Sequence, residues 1–287
     1  MKYLKLLLLS GLLFAGCRQE PREARVMARY VPERSDDFVF ENNLICGRIY
    51  GQALEGNPTS PGIDIWVKTP GALVANQRYI DELQFGKTYH KDWGNGKDCY
   101  KVAVSLGGGA SVPVVGGQLQ YPATNYRSWE ILTDEPEKVV FVLHYPQWEA
   151  AEGIKVALDK QITVVPDTYF CAVQDTWTFE GTDTLTVAAG IFRHAAQETI
   201  TDEMAEDGRY AIWEHASDQS VEPEDGMLGV AVVMPGASRA CILDDASHGI
   251  LTAKVVSGGT VEYYFGSCWS KGDVKSARDW FDIVKAQ

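Results

Sequence analysis

Little in this chain of 287 residues points to a membrane span, a metal centre or a nucleic-acid partner. The one long apolar run, Leu6 to Phe14, is far shorter than the roughly 20 residues a spanning helix needs. The six cysteines are dispersed and show no CxxC spacing, which excludes a zinc framework, and past Cys17 an odd five remain. These five (Cys46, Cys99, Cys171, Cys241 and Cys268) lie mostly in apolar contexts and are expected as buried thiols. No HExxH, GxSxG or EF-hand loop occurs, and Gly107-Gly108-Gly109 lacks the spacing of a phosphate loop. No cofactor and no metal is therefore expected. Positive charge is also scarce, at 26 basic against 39 acidic residues for a net −13. Such a chain does not bind nucleic acid by general electrostatics. No fixed-period repeat is present.

What is present begins with "MKYLKLLLLSGLLFAGC". Two lysines, an apolar run and small residues before a cysteine read as an export leader, and the junction resembles the bacterial lipobox that makes Cys17 a lipidated N-terminus. The expected organisation is a signal peptide over 1–16, a lipidated N-terminus and charged tether over 17–36, and one β-sandwich domain over 37–287. The protein would then be a periplasmic or outer-membrane lipoprotein, touching the membrane only through its lipid.

Beyond the tether the periodicity is that of strands. Runs such as "DFVFENNLICGRIYG", "GIDIWVK", "CYKVAVSL", "KVVFVLHY", "IKVALDKQITVV", "TYFCAVQDTWTF" and "TVEYYFGSCW" alternate or run apolar between Gly, Pro, Asn and Asp. Many short strands predict an all-β antiparallel sandwich. One helix is expected at the C-terminus, where Val274, Ala277, Phe281 and Val284 form a stripe and Asp273 is placed to cap it. Gly71 to Leu83 suggests a second, weaker helix or loop. Asp202 to Asp225, with nine acidic residues against Arg209, reads as a solvated loop or face, and Asp36-Asp37 as surface acids.

The segment "GKTYHKDWGNGKDCYKV" concentrates proton-transfer groups, lysines and glycines in an otherwise acidic chain. It is either a binding or catalytic loop or a polar turn with a satisfied histidine. "GIFRH" places Arg193 and His194 where a strand would leave the core, and "SCWSKGD" offers Trp269 as a stacking platform and Lys271 as a nearby charge. Each also has a plain structural reading: an arginine–carboxylate pair with a capping histidine, and a core tryptophan. Arg48 in "ICGRIYG" either aims inward at a carboxylate or sits at an exposed strand edge. His144 reads as a strand residue near a turn.

Taken in order, "ERSDDFVFENNLICGRIYG", "YHKDWGNGKDCYKV", "LGGGA", "AAGIFRH" and "YYFGSCWSKGDVKSARDWF" resemble a family of secreted bacterial lipoproteins that carry a domain of unknown function. The family occurs in systems that use pectin-like and ulvan-like polysaccharides. The resemblance runs from about Arg34 to the C-terminus. It implies a galactose-mutarotase-like supersandwich and an oligosaccharide substrate. In a branch with dehydratase activity it implies removal of water from a terminal uronic acid to leave a 4,5-unsaturated sugar.

That reaction needs a base for the C5 proton, a cation facing the carboxylate and an acid for the departing O4. The loop offers His90 or Tyr89 as base, the other as acid, and Lys91 as the cation, with Trp93 beside them. His194 is a further candidate for proton transfer, and Arg193, Arg48, Trp269 and Lys271 for substrate binding. The alternatives are an epimerase or glycoside hydrolase on the same fold, or a glycan-binding lipoprotein without catalysis. A hydrolase would need two carboxyl groups flanking one bond. Glu41, Asp92, Asp98 and Glu130 are available, but no spacing pairs them.

Overall fold

A computed structural model describes residues 23–55, 61–194, 201–205, 207–215, 225–237 and 240–287. The leader, Cys17 and the tether up to residue 22 lie outside the described residues.

The chain first builds a five-stranded sheet in the order β1 (Val26–Val31), β2 (Asp37–Asn42), β3 (Cys46–Ile49), β4 (Ile63–Lys68) and β5 (Gly96–Asp98). A second sheet of five runs β16 (Cys241–Ile242), β17 (His248–Val255), β12 (Leu185–Phe192), β6 (Gly108–Val115) and β7 (Gln118–Leu119). Ile63 and Gly107 join these two through a single parallel bridge.

Both face a sheet of eight, in the order β13 (Thr201–Ala205), β14 (Arg209–His215), β15 (Met227–Val233), β18 (Gly259–Trp269), β11 (Phe170–Glu180), β10 (Ile154–Val164), β9 (Lys138–Ala151) and β8 (Ser128–Glu135). Every ladder between the described strands is antiparallel. The expected all-β antiparallel sandwich with a C-terminal helix is the fold observed.

Period-two alternation makes the layers. In β10, Val156, Leu158, Ile162 and Val164 are buried in the main core, and Lys160 occupies the same parity. It is kept there by Asp175 at 2.6 Å and the Tyr263 hydroxyl at 3.0 Å. A buried charge without such partners would cost several kcal/mol, on the order of a whole domain's margin.

The C-terminal helix, α2 (Ala277–Ala286), lays Trp280, Phe281 and Val284 over β14 and β15. Trp280 stacks on Phe170 with ring planes 9° apart. Its N-cap is Ser276, which accepts from the Asp279 amide, and not Asp273 as its position before the stripe suggested. The weaker helix is α1, spanning Ala75–Phe85. No local side chain caps its first turn. Glu41 of β2 does so across space, accepting from the Val74 and Ala75 amides while Lys68 donates to it at 2.7 Å.

Three further expectations fail for physical reasons. Residues 26–31, grouped with the tether by composition, pair with β2 as an edge strand. "CYKVAVSL" is not a strand: Cys99 to Gly107 is irregular, with Ala103 at φ 49° and the Ser105 hydroxyl bonded to its own loop. Its alternation reflects loop residues Val102 and Leu106 tucked under the sheet edge. The acidic segment from Asp202 hides β13 and β14. In β14, Tyr210 and Ile212 enter the main core while Ala211 and Trp213 meet the α2 layer. Four of the five cysteines are buried free thiols, as expected, and Cys241 is exposed.

Candidate active site

The sheet of β1 to β5 is buried on both faces. Phe38, Phe40, Ile49, Ile63, Ile65 and Val67 enter the main core. On the opposite parity, Val39, Cys46 and Trp66 pack under Tyr79 of α1 and Tyr89 of the following loop. Asp37, Arg48, Asp64 and Asp98 belong to that second, outward face, so a charged group is sealed beneath α1 and the loop.

Arg48 organises it. Nε donates to Asp64 Oδ2 at 2.7 Å, Nη2 to Asp98 Oδ2 at 2.9 Å, and Nη1 to Asp37 Oδ2 at 3.1 Å and the Tyr89 hydroxyl at 3.3 Å. The rings of Tyr50, Trp66 and Tyr89 surround the guanidinium at 5.1, 4.9 and 5.3 Å. The side chain is 4% exposed. Arg48 therefore aims inward, but at this chain's own carboxylates, and does not face a substrate. Asp37, read as a surface acid, is fully buried.

Three carboxylates against one buried guanidinium cannot all ionise cheaply. Burial pushes Asp98 well above the usual carboxylate range, and Asp64 beside it acts in the same sense. Burial also raises Asp37 to about 6, against the pull of Arg48 and Arg34. An acid raised in the folded state favours folding below its unfolded pKa near 3.8, and that contribution is lost as pH rises to about 6. Asp37→Asn should therefore flatten the decline in unfolding free energy between about pH 4 and 6, removing about 3 kcal/mol of pH dependence. Urea melts across that range measure it directly.

The loop over this cluster runs from Gly86 to Asn95. Asp92 folds it: one carboxylate oxygen accepts from the Gly94 and Gly96 amides at 2.8 and 3.0 Å, and the other faces Lys271 at 3.5 Å. Both glycines sit at φ 105°, which side chains rarely adopt, and a Cβ on Gly96 would lie 2.1 Å from the Val67 carbonyl oxygen. Asp92 is thus spent on the turn, as Glu41 is on the cap of α1, so neither belongs to a carboxylate pair flanking a bond.

Tyr89 is buried, its ring stacked on Trp66 and its hydroxyl accepting from Arg34 Nε at 2.9 Å. Its hydroxyl is committed to Arg34 and Arg48, so Tyr89 serves as a wall of the charged cluster rather than as a free acid or base. His90 is the member of this group that reaches solvent, with its side chain 40% exposed. Nδ1 lies 3.3 Å from the Asp98 carbonyl oxygen and 3.6 Å from Asp98 Oδ2. A proton on Nδ1 serves that carbonyl and leaves Nε2 as the lone-pair nitrogen. Burial lowers the pKa of His90, with the Arg48 charge adding to the effect, so the neutral ring is favoured.

Beside it, Trp93 is half exposed and donates Nε1 to the Thr88 carbonyl at 2.8 Å. The ammonium groups of Lys87 and Lys91 lie 4.9 and 5.1 Å from its ring. Arg78, Lys87, Tyr89, Lys91 and Trp93 line much of a cavity of about 110 Å³. His90 is not in that lining, so the loop presents its base and its cationic groove as adjoining features.

The remaining candidates lie elsewhere. Trp269 is buried in the core and donates to the Asp225 carbonyl at 2.7 Å, so it is no stacking platform. Lys271 stands over its ring at 5.3 Å and reaches back to Asp92. Arg193 donates to the Ala246 carbonyl. His194 is buried, with Nδ1 2.6 Å from Glu214 Oε1 and Nε2 2.9 Å from the Lys101 carbonyl. Both nitrogens face oxygen, so His194 pairs with Glu214 inside the fold and ties β14 to the segment after β5.

Asp64 and Tyr50 were not singled out from the sequence, Asp37 was read as a surface acid, and Asp98 was named only as an available carboxyl group. Their signal was parity: "DFVFEN", "CGRI" and "IDIWVK" carry their charges on alternating positions of otherwise apolar strands.

Comparison with known proteins gives a consistent family. The family model described as "Domain of unknown function (DUF4861)" matches residues 16–287. A curated relative, "Uncharacterized protein P7" of Formosa agariphila, is 30% identical over 258 residues, covering 85% of this chain and 62% of that protein. The chain thus spans less than two thirds of this relative. Among solved structures, a proposed aldose 1-epimerase from Klebsiella pneumoniae is 8% identical at a TM-score of 0.41, covering 91% of this chain and 86% of that one. A heparinase III is 11% identical at a TM-score of 0.40, covering 89% and 37%. Likeness of this degree carries nothing about chemistry. The match along the chain itself decides the family: this protein belongs to the DUF4861 family.

Proposed function

We propose that this protein removes water from a uronic acid at the end of an oligosaccharide, by β-elimination across C4 and C5. The observation that carries the reading is His90: a half-exposed imidazole, held by the Asp98 carbonyl and biased toward its neutral form, beside a tryptophan flanked by two lysines. In this reading His90 Nε2 takes the C5 proton, and the C5–H electrons form the C4–C5 double bond. The C4–O bond breaks and His90 returns the proton to the departing oxygen, releasing water. Lys91 offsets the charge that builds on the sugar carboxylate, and Trp93 offers its face to the ring. The buried Arg48 cluster fixes the loop. Export and lipidation at Cys17 would place the enzyme at the periplasmic or outer membrane, where oligosaccharides arrive.

Incubating the protein with saturated uronic-acid oligosaccharides tests this. A rise in ultraviolet absorbance with products one water lighter and uncut supports dehydration. Cut products with the same chromophore indicate a lyase instead. Saturated products indicate hydrolysis or epimerisation and overturn the reading. Binding without product favours a glycan-binding protein. Lys91→Ala should raise KM about tenfold, as expected for a lost contact to a charged group worth about 1.5 kcal/mol.

A further inference from the structure

The eight-stranded sheet is covered unevenly. α2 closes its outer face over β14 and β15, whereas among the described residues nothing packs over the outer face of β8 to β11 and the adjoining part of β18. Two cavities of about 540 and 360 Å³ lie on that open half and share Gln161, Gln174 and Glu262, so they form one trough across the strands.

We infer that this trough is a second carbohydrate-binding site, for an uncharged, hydroxyl-rich oligosaccharide. Three observations select that occupant. Its polar side chains are tied into rows rather than splayed into solvent. Gln161 donates to Gln174 at 2.7 Å and Gln174 to Glu262 at 2.9 Å, along one register line of three strands. On the next line Thr176 and Thr260 lie 3.1 Å apart, and His144 meets Asp159 at 2.7 Å. Each amide in the first row keeps an N–H and a lone pair for a ligand hydroxyl, held in place before binding.

Apolar groups adjoin the rows: Val142 stands at the end of the glutamine row, and Val140 and Ala172 lie on the register line beyond it, which suits the C–H faces of sugar rings. Charge completes the selection. Lys138 is opposed by Asp159 and Glu262 in the lining, and Glu130 stands 3.9 Å from His144. A polyuronate would meet net negative charge here, unlike at the lysines around Trp93. The site is independent of the reaction at His90 and would hold neutral stretches of a mixed polysaccharide.

Calorimetric titration with xylotetraose, cellotetraose and galactotetraose, with tetragalacturonate as the anionic comparator, tests the inference on the whole protein. At least one neutral tetrasaccharide should bind, and Gln161→Ala/Gln174→Ala should weaken it about tenfold, as loss of one or two hydrogen bonds implies. The variant's thermal melt should match the parent's, since both side chains are exposed or partly so. His144→Ala, on the neighbouring row, should weaken the same ligand, and His90→Ala should leave it unchanged. Binding of none of the three neutral probes at millimolar concentration overturns the inference. So does equal binding by parent and variants, or tetragalacturonate competing at the same site as tightly as the neutral ligand.

Discussion

Replacing His90 by alanine is expected to lower turnover on saturated uronic-acid oligosaccharides about 10²- to 10⁴-fold, the usual contribution of a positioned acid–base group. The fold should survive, because the ring is half exposed and its nearest polar contact is to a backbone carbonyl. Substrate affinity should change little, since Lys91 and Trp93 are untouched. The pH profile sharpens the test. Burial lowers the His90 pKa, so the acid limb of kcat/KM should fall below the ordinary histidine range near 6.5. An acid limb above that range would mean that another group is the base. Steady-state rates for the parent and His90→Ala across pH measure both points. A variant that loses affinity but keeps turnover would make His90 a binding residue.

The largest stability effect belongs to Arg48. Arg48→Met keeps much of the side chain's bulk inside the Tyr50, Trp66 and Tyr89 box but leaves Asp37, Asp64 and Asp98 without their shared cation. Removing one partner of a buried ion pair costs about 3–5 kcal/mol. For a domain of this size that corresponds to a drop in Tm of about 10 °C. Because protonation relieves the uncompensated carboxylates, the loss should be greatest at neutral pH and shrink on acidification. Thermal melts at two pH values distinguish this from a packing defect, which would be indifferent to pH. An Arg48→Met protein as stable as the parent would show that the aspartates carry no charge to compensate.

Arg48 also shows where the sequence was readable and where it was not. An arginine inside the apolar strand "ICGRIYG" implies either a buried partner or an exposed edge, and the strand pattern was enough to pose that choice. The partners themselves lie 11, 16 and 50 residues away and meet only through sheet pairing. Strand pairing is long-range information that local periodicity does not hold. Acidity misled twice for the same reason. Asp37 and the segment holding β14 look solvent-facing by composition, yet cross-strand neighbours bury them.

Tyr89 and His90 were legible as a cluster but not as separate roles. The turn set by Asp92 and two positive-φ glycines turns one ring into the charged cluster and leaves the other half in solvent. Trp269 was ambiguous, and its burial beside Asp225 settles it as core. The four buried cysteines and the C-terminal stripe, which depend on local context alone, were read directly.

In the proposed reaction His90 drives elimination of water across C4 and C5 of a uronic acid. Proton NMR of a saturated uronic-acid oligosaccharide during incubation with the protein tests it most directly. The C5 proton signal should disappear and a vinyl signal at C4 should grow, with no new reducing end, and neither change should occur with His90→Ala. New reducing ends on saturated sugars, anomeric exchange alone, or the same vinyl signal from His90→Ala at an undiminished rate would contradict it.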